Sequence, residues 1–201
     1  MSTKKILEIG GVLAGVVLIA FGIAAIYMGV DGRSTVRDSI AAEQIFFGEA
    51  DDPAVATYAS QWAGQQVKTG EQARAFAQIM REHALEGAGG NTYAQMGRFV
   101  SADNPDDPAG TSDEAAALKD DSGAPVSNGA RNTWVTATAL SSALNMSYMA
   151  EQTSLFGMVV GVALLLSGIG FTILALGGAL RGREQTATVK AQGSTKAVAT
   201  V

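Results

Sequence analysis

The chain has no cysteine and a single histidine, His83. The first absence removes disulfides, thiolate nucleophiles and cysteine-held zinc or iron–sulfur centres in one step. The second leaves too few imidazoles for a metal site built from two histidines and a carboxylate. Charge is scarce as well, at 16% of residues, and the net balance is −5. An acidic chain lacks the basic surface that nucleic-acid binding requires. Phosphate-binding loops are missing too: Gly87, Gly89 and Gly90 have no accompanying Lys and Ser/Thr. The serines lack a strand–turn–helix setting and a base partner beyond His83, so a hydrolase nucleophile is not expected. These absences lead to the expectation of no catalytic, cofactor-binding or metal-ligating residue and no cofactor.

What the chain does have is apolar length. Ile9 to Val30 and Leu155 to Leu180 carry no charge. A hydrocarbon core of ~30 Å needs about 20 residues of helix at 1.5 Å rise, and both runs meet that test. Soluble core helices seldom run so far without a charge. Lys4 and Lys5 before the first run resemble a signal peptide, and Gly22-Ile23-Ala24 could serve as a cleavage site. The run exceeds the ~7–15 apolar residues of a secretory signal, which favours an uncleaved anchor. Both runs contain small-residue steps (Gly11/Gly15, Gly157/Gly161, Ala163/Ser167) that suit close helix packing in lipid.

Charge sets the expected orientation. Residues 31–154 hold eight Lys/Arg and seventeen Asp/Glu, a net of −9, whereas both termini are basic. Basic flanks stay in the cytoplasm. The organisation expected is a cytoplasmic N-terminus (1–8), a first transmembrane helix (9–30) and an extracytoplasmic helical domain (31–154). A second transmembrane helix (155–180) and a disordered cytoplasmic tail (181–201) follow. The fold class is all-α, with the second span continuous with a long stalk helix.

Within 31–154 the helix signals are local. Ser34 reads as the cap of a short helix with Val36, Ile40 and Phe47 at helical spacing, or that helix continues the first span. Asp52-Pro53 is a helix start that carries Val55, Tyr58, Ala59 and Trp62 to a stop at Gly64. Thr69-Gly70-Glu71-Gln72 is a capping box opening a helix to about Glu86, which Gly87-Ala88-Gly89-Gly90 ends. Thr92 to Val100 reads as another short helical piece. Ser101 to Asn128, with Pro105, Pro108, Pro125 and seven Asp/Glu, reads as a long, mobile acidic loop. From Arg131 to Leu180 one helix about 75 Å long is expected. Its outer half carries Ala137, Leu140, Ser141, Leu144 and Tyr148 on one face. That stripe calls for cover from the other helices, as in a small bundle.

Four constellations invite a chemical reading. His83 with Glu86 suggests a metal or acid–base pair, yet His83 falls among Ile79 and Met80 and reads better as a hydrogen-bonded packing histidine. Asp103, Asp106 and Asp107 lack the ligand spacing of a calcium loop and read as solvated charge. Trp134, Tyr148, Trp62 and Tyr58 are either a ligand cup or interfacial packing. Glu151, one turn before the second span, is placed to meet Arg33 or Arg37.

Three stretches together with Met28-Gly29-Val30-Asp31-Gly32-Arg33 carry a resemblance. They are residues 74–86 (RAFAQIMREHALE), 92–99 (TYAQMGRF) and 129–152, which opens on GARNTWVT and closes on YMAEQ. The chain resembles a family of two-span membrane proteins of high-GC actinobacteria with no established activity. Some members bear the label of an aromatic ring-opening dioxygenase, a chemistry for which one histidine and no cysteine supply too few iron ligands. The expectation is an integral plasma-membrane protein, a non-enzymatic accessory or scaffold subunit. Its partners would be the lipid bilayer and either further copies of itself or a larger membrane-protein complex. An extracytoplasmic binding or sensing module is the alternative.

Overall fold

A computed structural model describes residues 3–177. Expectations for the end of the second run and for the tail at 181–201 lie outside these residues. Helix is the only extended regular element among them: α1 (Thr3–Ala42), α2 (Pro53–Tyr58), α3 (Gly70–Gly87) and α4 (Gly129–Leu176), with 3₁₀ turns at Ser60–Trp62 and Tyr93–Gln95. Helices α1 and α4, of 40 and 48 residues, are long and apolar enough to cross a membrane. The described residues divide into two compact units, 3–28 with 157–177 and 29–156.

In the first unit α1 and α4 pack antiparallel along a seam of glycines. A Cβ on Gly22 would lie 2.7 Å from the Leu165 nitrogen and 2.8 Å from the Gly161 carbonyl. One on Gly161 would lie 2.8 Å from the Gly22 carbonyl and from the Ile26 nitrogen. Gly15 and Gly168 repeat this arrangement: a Cβ on either would fall within 2.8 Å of the other's carbonyl oxygen. The spacing is seven residues on each helix, not the four expected from Gly11/Gly15 and Gly157/Gly161. Gly157 faces open space. A seven-residue repeat keeps one stripe facing its partner along a left-handed pair, which a four-residue step alone does not specify. Away from the seam the large side chains point outward, among them Leu13, Phe21, Val159 and Leu166.

The second unit has a hydrophobic core of its own. Ile40 of α1, Val55 of α2, Ile79 of α3 and Leu144 of α4 bury together with Phe47 and Val67. A smaller cluster joins Ala84, Ala88, Met96 and Trp134. The Thr69 capping box forms as expected, with its hydroxyl accepting from the Gln72 nitrogen and the Gln72 side chain accepting from the Thr69 nitrogen. Asp52 caps α2 through Ala54 and Val55, and Pro53 occupies the first turn.

Several expected boundaries differ. At Ser34 the second of the two expected readings holds, since α1 runs unbroken to Ala42. Phe47 lies beyond that helix, on an extended link whose amide donates to the Gln65 carbonyl at 2.9 Å. Helix α2 ends at Tyr58 and gives way to a 3₁₀ turn rather than reaching Gly64. Between Thr92 and Val100 only Tyr93–Gln95 is helical.

The acidic segment 101–128 is not an unstructured loop. Phe99 and Thr111 exchange both backbone hydrogen bonds, at 2.9 and 2.8 Å. Leu118 donates to Val100, which donates to Val126, and Val126 donates back to Leu118. Its aspartates build the turns between these pairings. Asp107 accepts from Ala109, Asp113 from Ala115, and Asp120 from the nitrogens of Ser122 and Ala124. Aspartate side chains bonding their own backbone two residues on are turn formers, so the composition that suggested disorder is turn chemistry. Asn128 fastens the segment to α4. Its Oδ1 accepts from Ala130 and Arg131 at the helix start, while its Nδ2 donates to the carbonyls of Gly97 and Pro108.

Candidate functional site

Three elements of the second unit converge on Glu151, which is only 4% exposed. Its Oε1 accepts from Arg33 Nε at 3.0 Å and from Arg37 Nε at 2.7 Å. Its Oε2 accepts from the backbone nitrogen of Gly70 at 2.5 Å. Gly70 is the first residue of α3, so the carboxylate also sits at the positive end of a helix of 18 residues. The two arginines lie one turn apart on α1 and thus share a face. The sequence suggested one arginine for Glu151; the structure brings both, and adds the amide.

Gly70 makes this approach feasible. A Cβ there would stand 2.8 Å from the Tyr148 Cα and 2.9 Å from the Glu151 carboxylate. Any other residue would push the start of α3 off α4. Burial acts to raise the Glu151 pKa and is the largest single influence; the Gly70 amide and then the Arg33 and Arg37 guanidinium groups together outweigh it. The carboxyl is therefore held below the usual glutamate range. With its oxygens engaged by three donors it is a structural lock rather than a proton acceptor.

Beside this lock lies an open groove of about 440 Å³. Tyr58, Gln61 and Trp62 form one wall, Glu71, Arg74 and Gln78 of α3 the second, and Tyr148 and Gln152 of α4 the third. The Arg74 guanidinium rests 4.9 Å from the centre of the Tyr148 ring. Trp62 is backed by Phe47 in a stacked pair, with centroids 5.9 Å apart and an interplanar angle of 22°. Of the four aromatic residues proposed as a cup, three meet here. Trp134 lies instead in the second cluster, with Arg81 over its ring at 5.2 Å.

A second groove, of about 620 Å³, is lined mainly by Ile40, Ile45, Phe76, Met80, Leu140 and Leu144. His83 is not packed in the core. Its side chain is 48% exposed and its Nε2 lies 3.2 Å from an Asp52 oxygen, so it supports the cap of α2. The sequence placed it on the apolar arc, but α2 reaches that side of α3 with a carboxylate rather than an apolar side chain. Among the described residues no group of three His, Asp or Glu side chains is placed to hold a metal ion.

No protein-family model, curated protein or solved structure matches the chain. The residues missed in the sequence are Gly70, Arg74 and the groove glutamines. Gly70 sits inside a capping box and gives no sign of its tertiary contact. Arg74 and Gln78 read simply as the polar face of a helix.

Proposed function

We propose that this chain is an integral membrane protein with spans at 9–30 and 155–180, and that its helical domain, residues 31–154, is extracytoplasmic. Both termini are cytoplasmic in this proposal. The observation that carries it is the outward apolar surface of both long helices. Only 11% and 17% of their most hydropathic windows are buried. Residues such as Phe21 and Leu166, 66% and 64% exposed, would burden a water-soluble fold at about 25 cal/mol per Å² of apolar surface. The orientation rests on the net −9 of residues 31–154 between basic flanks. The likeness to the actinobacterial two-span family belongs to the same proposal.

Its role in this reading is that of a non-enzymatic accessory or scaffold subunit. Among the described residues the one buried carboxylate accepts from three donors, and the one histidine of the chain supports a helix cap. Partners are the bilayer and either further copies of the chain or a larger membrane complex. A binding module is the second reading, and the aromatic groove favours it.

The absence of cysteine makes the topology directly testable. Single cysteines at Ser112 and Thr3 would be labelled with a membrane-impermeant maleimide on intact cells. Ser112→Cys should label at once, and Thr3→Cys only after permeabilisation. The reverse pattern would overturn the orientation. Purification of the intact chain with a stoichiometric partner or as a defined oligomer would support the accessory role.

A further inference from the structure

We infer that the groove walled by Tyr58–Trp62, α3 and α4 is a binding site for a neutral saccharide. This deepens the binding-module reading and rests on it. Each wall contributes one carboxamide: Gln61, Gln78 and Gln152. A carboxamide carries a donor pair and an acceptor side by side, which suits hydroxyl groups that both donate and accept. Two walls contribute aromatic rings, Tyr58 and Trp62 on one and Tyr148 on the other. A pyranose presents an apolar C–H face with hydroxyls around its edge; the Tyr58 and Trp62 wall matches the first and the three amides the second, while the Tyr148 ring carries the Arg74 guanidinium.

Glu71, Arg74 and Gln78 sit at steps of three and four on α3, and Tyr148 and Gln152 at four on α4, so each of these sets presents one helix face to the groove. Tyr58 ends α2, and Gln61 and Trp62 follow on the 3₁₀ turn beyond Ala59. None of the eight side chains is buried in the core.

Charge rules out other classes. Arg74 is the only cation of the groove and Glu71 its only anion, so the lining is neutral. An anionic ligand such as a nucleotide would find one guanidinium, already laid on the Tyr148 ring. An alkyl chain fits the apolar groove at Phe76 and Leu140 better than this one. The walls are also fixed in advance. Phe47 backs Trp62, and the Gly70–Glu151 contact holds α3 against the Tyr148 turn. Preorganised walls lose little freedom on binding.

The test uses the full chain in phosphatidylcholine–phosphatidylglycerol nanodiscs, free of alkyl-glycoside detergent. Tetrasaccharides of glucose, mannose and N-acetylglucosamine would each be titrated, with adenosine and inorganic phosphate alongside. Tryptophan fluorescence and saturation-transfer NMR report binding. At least one tetrasaccharide should bind saturably. Gln78→Ala and Gln152→Ala should each weaken it about three- to tenfold, the range of a single hydrogen bond, with helicity by circular dichroism unchanged. No saturable binding of any tetrasaccharide would overturn the inference, as would preference for adenosine or phosphate. Binding that persists at full strength in the double variant would do so too. The topology labelling is independent of this titration, so a failed titration with Ser112→Cys labelled outside removes the saccharide and leaves the membrane proposal standing.

Discussion

Glu151 holds α1, α3 and α4 of the second unit at one point, and its removal has a calculable effect. In Glu151→Ala the buried Gly70 amide loses its acceptor, a loss of about 1–3 kcal/mol. The two arginine side chains are 36% and 39% exposed, so water recovers most of their interaction and each pair contributes under about 1 kcal/mol. The sum is about 1–5 kcal/mol. Glu151→Gln keeps an acceptor for Gly70, but its NH2 replaces the oxygen that accepts from Arg33 and Arg37, so both arginine bonds go with the charge, at about 1–2 kcal/mol. Urea unfolding of the chain in nanodiscs, followed by the fluorescence of Trp62 and Trp134, reads both values. The pH dependence gives a second check. The folded pKa is below the ordinary value of 4.5, so the unfolded state takes up the proton first as pH falls. Stability from the charge is therefore complete above 4.5 and is lost as pH drops through the lower folded value. The gap between the native chain and Glu151→Gln should close over that window. A Glu151→Ala variant as stable as the native chain, or a gap that stays constant with pH, would refute the lock.

Two further substitutions probe the remaining structure. Asn128→Ala removes the cap of α4 and both tethers to Gly97 and Pro108, and should destabilise the second unit by about 2–4 kcal/mol. Limited proteolysis should then cut within 101–128, whereas Asn128→Asp, which keeps the cap alone, should be intermediate. Gly22→Leu places a side chain against the Gly161 carbonyl and the Leu165 nitrogen, and should separate the helix pair. A Gly22→Leu chain whose urea unfolding midpoint in nanodiscs matches that of the native chain would count against the seam.

Local chemistry was legible wherever it is local. The Thr69 capping box, the Asp52-Pro53 start, the two long apolar runs and the unbroken helix through Trp134 to Leu176 all follow from neighbouring residues. That Glu151 meets Arg33 or Arg37 was legible too, because Glu151 and Arg33 each lie about one turn from an apolar run and two such helices must pass each other; that both arginines engage was not. The hydrogen-bonded turns of segment 101–128 were not legible, because aspartate serves both solvated loops and turn formation. Only the pairing of Val100 with Leu118 and Val126 distinguishes them.

The sequence by itself determined the two long helices, their charge-sorted flanks and the absence of cysteine. These depend on composition and on periods of a few residues. The tertiary structure alone decided which glycines form the seam, that Gly70 seats α3 on Glu151, and that three of the aromatic residues share a groove with Arg74. Those facts depend on backbone approaches and side-chain meetings across tens of residues, and no local pattern specifies the register in which two distant helices touch.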